Sequence, residues 1–138
     1  EISCSLVGSE MCIETDPLLG VGWGNYWLAY PEYNFFIEDA DVVIFHAHDM
    51  YIHIPAEVGI PGGILYFLFF FGQGVMSWRI WRRGKGTMKL FGLSGMLLVL
   101  SAAIDGIGDY AFFSCPVSCC FWALSALCVS EERRGTAG

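Results

Sequence analysis

Three apolar stretches, Ile60–Trp81, Met88–Ile104 and Ala111–Val129, constrain this chain more than anything else in it. A helix crosses a bilayer with about 20 residues, within a range of roughly 17–25. The first stretch fits that span easily. The second is short and needs flanking residues to reach the interfaces. The third contains Pro116, which membrane helices tolerate better than soluble ones. Only 15% of the residues are charged and 55% are hydrophobic, whereas a soluble domain carries about 25% charged residues. The expectation is an all-α, polytopic integral membrane protein fragment. It has three transmembrane helices over 60–129, a loop over 16–59 with a short interfacial helix, and a tail over 130–138.

The charges give that arrangement a direction. Arg79, Arg82, Arg83, Lys85 and Lys89 surround the link between the first two stretches, and Arg133 and Arg134 follow the third; no Lys or Arg precedes Arg79. The positive-inside rule puts both basic clusters in the cytoplasm. The 16–59 loop and the turn Asp105–Tyr110 then lie outside. The acids, among them Glu14, Asp16, Glu32, Glu38, Asp39, Asp41, Asp49 and Glu57, collect on that outer side. Such a loop cannot hold a pyrophosphate by itself, so any cationic clamp comes from additional sequence or from a metal.

The N-terminus is acidic and shows no signal peptide. Ser3–Glu14 (SCSLVGSEMCIE) resembles translated sequencing-adapter sequence, so residues 1–15 are doubtful and Cys4 and Cys12 carry no argument. The chain is expected to be the C-terminal piece of a longer protein. Asp16–Tyr26 is a Gly-rich turn whose Trp23 and Tyr26, with Trp27, suit headgroup depth. It lacks the Lys-Ser/Thr ending of a phosphate loop. Tyr30–Phe45 reads as irregular and aromatic, with room for a short helix. Pro55 should kink or restart the helix that begins near His46, and Pro61 suits the first turn of the first span. Gly72 and Gly74 suit close helix packing. Cys115, Cys119, Cys120 and Cys128 read as small apolar filling, since their spacing fits no zinc pattern.

The chemistry-bearing run is His46–Gly63, HAHDMYIHIPAEVGIPGG. It holds all three histidines of the chain, followed at once by the first apolar stretch. Imidazole titrates near neutral pH, and a neutral histidine at the rim of a cavity can take a proton from a hydroxyl, a contribution of about 10²–10⁴ in rate. Asp49 and Glu57 are candidates to orient it. The alternative is a set of interfacial histidines bonded to water or headgroups. A metal site is not expected: Glu57 stands at the wrong distance from His46-x-His48, and Pro55 disturbs the turn between His53 and Glu57. Asp105 and Asp109, in the second outer turn, are either solvated or line the same external cavity as the histidines.

These residues carry a resemblance. HAHDMYIHIPAEVGIPGG is similar to the hallmark of the bacterial O-antigen ligase and O-antigen polymerase superfamily, roughly H-x-H-N-x-Y/W-L-x-x-x-x-E-x-G-x-x-G before an apolar helix. His46, His48, Tyr51, Glu57, Gly59 and Gly62 fall in register. DPLLGVGWGNY resembles the segment that precedes the histidines in that family, and IDGIGDYAFFSCPVSCCFWALSAL its closing outer turn and last span. The resemblance implies a bacterial inner-membrane glycosyltransferase acting on the periplasmic face. Its donor would be an undecaprenyl pyrophosphate-linked glycan and its acceptor lipid A-core, another lipid-linked glycan or a protein. Membrane lipids are partners and nucleic acid is not. The chemistry it implies is metal-independent, uses no cofactor, and activates the acceptor hydroxyl with a base while cationic groups stabilise the departing pyrophosphate. Carried over by position, His48 is the base, with His46 and Glu57 shaping the catalytic site. Asp49, Tyr51, His53 and Asn25 are the substrate-binding candidates.

Two departures stand out. The family has Asn where this chain has Asp49, and its periplasmic arginines are missing, so the fragment is not expected to act alone. Two other functions fit the sequence. One is a transporter or channel piece with an external His/acid ion site, although its charges sit at span ends. The other is a non-catalytic membrane subunit whose aromatic outer loop binds a partner.

Overall fold

The computed structural model describes residues 2–33, 46–110, 112 and 114–136. Five α-helices follow one another: α1 (Ile2–Thr15), α2 (Tyr26–Tyr33), α3 (Met50–Arg83), α4 (Thr87–Asp105) and α5 (Cys115–Thr136). No strand occurs among the described residues. Of the stretch Tyr30–Phe45, which had room for a short helix, Tyr30–Tyr33 closes α2, while residues 34–45, with the acids Glu38, Asp39 and Asp41, lie outside the described residues. Two helices, α3 and α4, are long and apolar enough to cross a membrane. The apolar part of α5, Cys115–Ser130, is shorter. It starts later than the expected Ala111, and Pro116 lies in its first turn, where a missing N–H costs nothing.

The chain divides into two compact units, Glu1–Tyr66 with Asp105–Tyr110, and Phe67–Ile104 with Ala111–Gly138. In the first, α3 begins under a cap. The N–H groups of a helix's first turn have no intrahelical partner, and here those of Met50, Tyr51 and Ile52 each find one before His53 N–H closes the first regular helical bond. Met50 N–H bonds the Gly106 carbonyl at 2.8 Å and His53 N–H the Asp49 carbonyl at 2.9 Å. Tyr51 and Ile52 N–H reach Asp49 Oδ1 at 2.7 and 3.3 Å. Asp49 is therefore an N-cap, a position Asp and Asn fill about equally well.

α3 does not kink at Pro55. Its helical path breaks at Gly59, with φ 73° and ψ 168°, a conformation essentially reserved for glycine. The reason is a backbone crossing. A Cβ on Gly59 would strike the Leu18 carbonyl, and one on Gly20 (φ 66°) would meet the backbone of Glu57 and Gly59. The Gly-rich turn is stitched along this crossing: Val21 N–H to Ala56 O at 2.9 Å, Gly22 N–H to Glu57 O at 2.8 Å, and Ile60 N–H to Pro17 O at 2.8 Å. Pro61 then opens the apolar part of α3, as expected. Tyr26, expected at headgroup depth, is instead fully buried, with its hydroxyl 2.8 Å from Ser9 Oγ of α1. Trp23 and Trp27 of the same segment are exposed.

The second unit packs the rest of α3 on α4 and α5. Phe70, Phe112 and Phe121 form its aromatic centre, with Phe70 and Phe121 stacked at 5.5 Å and Phe112 edge-on to Phe121 at 4.9 Å. α3 and α4 approach to backbone contact at Gly92, where a Cβ would collide with Trp81 N, and at Gly95 a Cβ would meet the Ser77 side chain. Of the two glycines expected to permit close packing, Gly74 faces Val99 while Gly72 faces open space. Leu68, Phe69, Val75, Leu90, Leu97 and Leu100 are exposed. At the basic link, Arg82 lies over the Trp78 ring and Lys89 over Trp81, at 5.3 and 5.7 Å.

Candidate functional site

The first unit brings the three dispersed motifs to one place. The Gly-rich turn lies on Glu57, and the cap bond from Met50 to Gly106 draws the turn Asp105–Tyr110 to the head of α3. Asp109 thereby comes to the histidines: His48 Nδ1 is 3.8 Å from Asp109 Oδ1, and both side chains are open to solvent. Ligand atoms of His46, His48 and Asp109 all lie within 4.8 Å of one another. The His46 and His48 rings meet edge to face at 4.8 Å. Asp109 is held in turn by the Tyr110 N–H, 2.7 Å from its Oδ1.

Beneath this open cluster lies a buried one. His53 and Glu57, one helical turn apart, are both buried, with Nε2 3.6 Å from Oε1. Pro55 does not part them. His53 Nδ1 accepts the Ala47 N–H at 3.3 Å. An accepting Nδ1 carries no proton, so the neutral ring holds its hydrogen on Nε2, facing Glu57. Burial, helped by His46, pushes the His53 pKa down to about 3. Glu57 accepts the Gly24 N–H at 3.0 Å. Burial raises its carboxyl above the ordinary range, and bonds from the Gly24 and Tyr26 backbone oppose that rise. Tyr26 and Tyr110 enclose His53, with ring centroids at 5.0 and 4.5 Å. Burial, then Tyr66 and Glu57, hold the Tyr110 phenol well above its ordinary pKa.

The arrangement is thus two-layered. His46, His48 and Asp109 face outward, where an imidazole beside a carboxylate can take up a proton or bind a cation. The inner pair fixes the backbone between them, because the Ala47 N–H that His53 holds belongs to the residue joining His46 to His48. His53, read from sequence as a substrate-binding candidate, lies under the outer layer. Asp49, another, spends Oδ1 on the helix cap. Asn25 directs its amide to the Val21 carbonyl at 3.4 Å, inside its own turn. Tyr51 gives its N–H to the cap, and burial followed by Asp49 raises its phenol pKa.

Sequence reasoning left Asp109 open between solvent and the histidine cavity, and gave Tyr110 no role. The i, i+4 acids Asp105 and Asp109 marked the turn, but which of them reaches His48 depends on the bond to Gly106. No protein family, curated protein or solved structure matches this chain.

Proposed function

We propose that the chain is the C-terminal part of a multi-pass membrane glycosyltransferase of the O-antigen ligase and polymerase type. It transfers or extends a glycan carried on undecaprenyl pyrophosphate. Three spans place the histidine segment and the turn Asp105–Tyr110 on the periplasmic face and the basic link in the cytoplasm. The observation that carries the reading is convergence. The three segments whose sequences resemble that superfamily, far apart in the chain, meet in the first unit: the Gly-rich turn through Gly24 on Glu57 of the buried pair, and the histidine run and the closing turn through His46, His48 and Asp109 of the open cluster. The exposed apolar side chains of α3 and α4 and the absence of Lys and Arg before Arg79 agree with the membrane orientation.

In this reading His48 accepts the proton of the acceptor hydroxyl as that oxygen attacks the anomeric carbon, and the pyrophosphate leaves. Asp109 stabilises the imidazolium that forms. The cationic groups that stabilise the leaving group come from the remainder of the longer protein. Asp49 in place of the family's Asn leaves the cap intact, so the departure touches the helix start and not the reaction. The test is transfer from a lipid-linked glycan by the full-length protein in proteoliposomes. His48→Ala abolishes transfer while insertion and expression are unchanged; wild-type transfer by that variant removes His48 from the mechanism.

A further inference from the structure

The outer cluster has a second chemical capacity. Two imidazoles and a carboxylate form a ligand set suited to a borderline transition ion such as Zn²⁺ and poorly suited to Mg²⁺ or Ca²⁺, which prefer all-oxygen shells. Ligand atoms around a tetrahedral zinc stand about 3.3 Å apart, from Zn–N distances of roughly 2.0–2.1 Å. The three here lie within 4.8 Å, and rotation of the side chains, half-buried at His46 and His48 and exposed at Asp109, would bring them to that spacing. Supporting contacts are already in place. His46 Nδ1 lies 3.4 Å from the Ala47 carbonyl, a contact that an Nδ1–H makes as donor and that leaves Nε2 with its lone pair. Asp109 Oδ1 is oriented by the Tyr110 N–H. Metal-binding histidines and carboxylates are commonly steadied by such outer bonds. Sequence spacing pointed away from a metal because it offered Glu57 as third ligand. Glu57 is buried against His53, and the third ligand comes from the turn Asp105–Tyr110.

We infer that His46, His48 and Asp109 form a three-ligand site for a divalent transition ion, and that the ion, when bound, occupies the lone pair with which His48 would accept a proton. Zinc is then an inhibitor of the reaction and not its cofactor. This second half rests on the function proposed above; the binding site itself does not.

The experiment has two arms, both on the full-length protein in detergent or proteoliposomes with Cys115, Cys119 and Cys120 changed to Ser, since exposed thiols also bind zinc. In the first, ZnCl₂ is titrated calorimetrically, and Co²⁺ serves as a spectroscopic reporter. Saturable binding is expected, with no thiolate charge-transfer band. His46→Ala and Asp109→Asn, which remove ligands, should each weaken it by at least the roughly 10–100-fold that loss of an outer-shell partner costs, while Asp109→Glu, which keeps the carboxylate, retains most of it. No saturable binding, or binding indifferent to Asp109→Asn in a variant that still melts cooperatively, overturns the site. In the second arm, transfer is measured with Zn²⁺ and again after chelation. Inhibition that chelation reverses is expected, with Mg²⁺ having no such effect. Transfer undiminished by bound zinc overturns the inhibition. A protein that binds zinc as described but transfers nothing after chelation sinks the proposed function and leaves the metal site standing.

Discussion

His53 and Glu57 face each other across one turn of α3, Nε2 to Oε1 at 3.6 Å, and Ala47 N–H fixes the tautomer from the other side. A neutral imidazole here holds the backbone between His46 and His48; a protonated one would put a hydrogen on Nδ1 against the Ala47 N–H. The ring is therefore expected to stay neutral, with its proton on Nε2, from pH 8 to pH 5, read from the ¹⁵N shifts of selectively labelled histidine. An Nδ1–H tautomer, or titration of this ring near its ordinary pKa, would remove the hold of His53 on the Ala47 N–H.

The same pair sets an acid limit. The unfolded chain protonates His53 below about 6.5, while the folded one resists until about 3. Between those values the unfolded state binds the extra proton, so folding stability falls as pH falls, by at most ~1.4 kcal/mol per pH unit for one site. Glu57 runs the other way. Its folded pKa is raised, so acidification through that raised value toward the ordinary 4.5 relieves part of its burial cost. His53→Asn keeps an acceptor for Ala47 and removes the titration, so its stability loss between pH 7 and pH 5 should be shallower than wild type. Equal slopes in denaturation at the two pH values would assign the acid sensitivity elsewhere.

A glycine series tests the crossing of the Gly-rich turn over α3. Gly24 has φ 74° with nothing near its missing Cβ, whereas Gly59 has both a glycine-only conformation and the Leu18 carbonyl in the way. Gly24→Ala should cost about 1–2 kcal/mol, the backbone share alone. Gly59→Ala should cost about 3 kcal/mol or more, since a strained backbone and a collision with main chain add. Gly20→Ala should resemble Gly59→Ala. Equal small losses across the series, by thermal or chemical denaturation, would mean that the turn does not press on the helix.

These glycines mark where sequence reading stops. The apolar part of α3 and the whole of α4, expected as Met88–Ile104 and found as Thr87–Asp105, were legible because hydropathy is a property of the local chain. Pro55 was the visible breaker, yet the break falls at Gly59, because Leu18–Gly20 crosses there from far away in sequence. Tyr26 read as an interfacial aromatic until Ser9 and His53 enclosed it. The histidines were legible as a cluster. Their division into an outer pair with Asp109 and an inner ring against Glu57 was not, because it depends on the Met50 N–H finding the Gly106 carbonyl.

Asp49 separates a substrate contact from a cap. As N-cap, Asp49→Asn should leave both stability and transfer nearly unchanged, while Asp49→Ala costs about 1 kcal/mol of stability by freeing the N–H groups of Tyr51 and Ile52. A substrate contact through its charge would reverse the pattern: Asp49→Asn would then lose transfer with stability intact. Melting curves and transfer rates on the same two variants decide between them.

Gln73 makes the opposite kind of prediction, a gain. Its side chain is buried in the apolar half of α3, and its Oε1 has no hydrogen-bond partner among the described residues. Leaving such an oxygen unpaired costs about 1–3 kcal/mol, more where no water reaches it. A leucine of similar size removes the polar group without opening a cavity, so Gln73→Leu should raise stability by up to that amount in reversible detergent unfolding of the chain. Loss of stability on Gln73→Leu would instead mean that a donor reaches Oε1 and that Gln73 is a contact point for it.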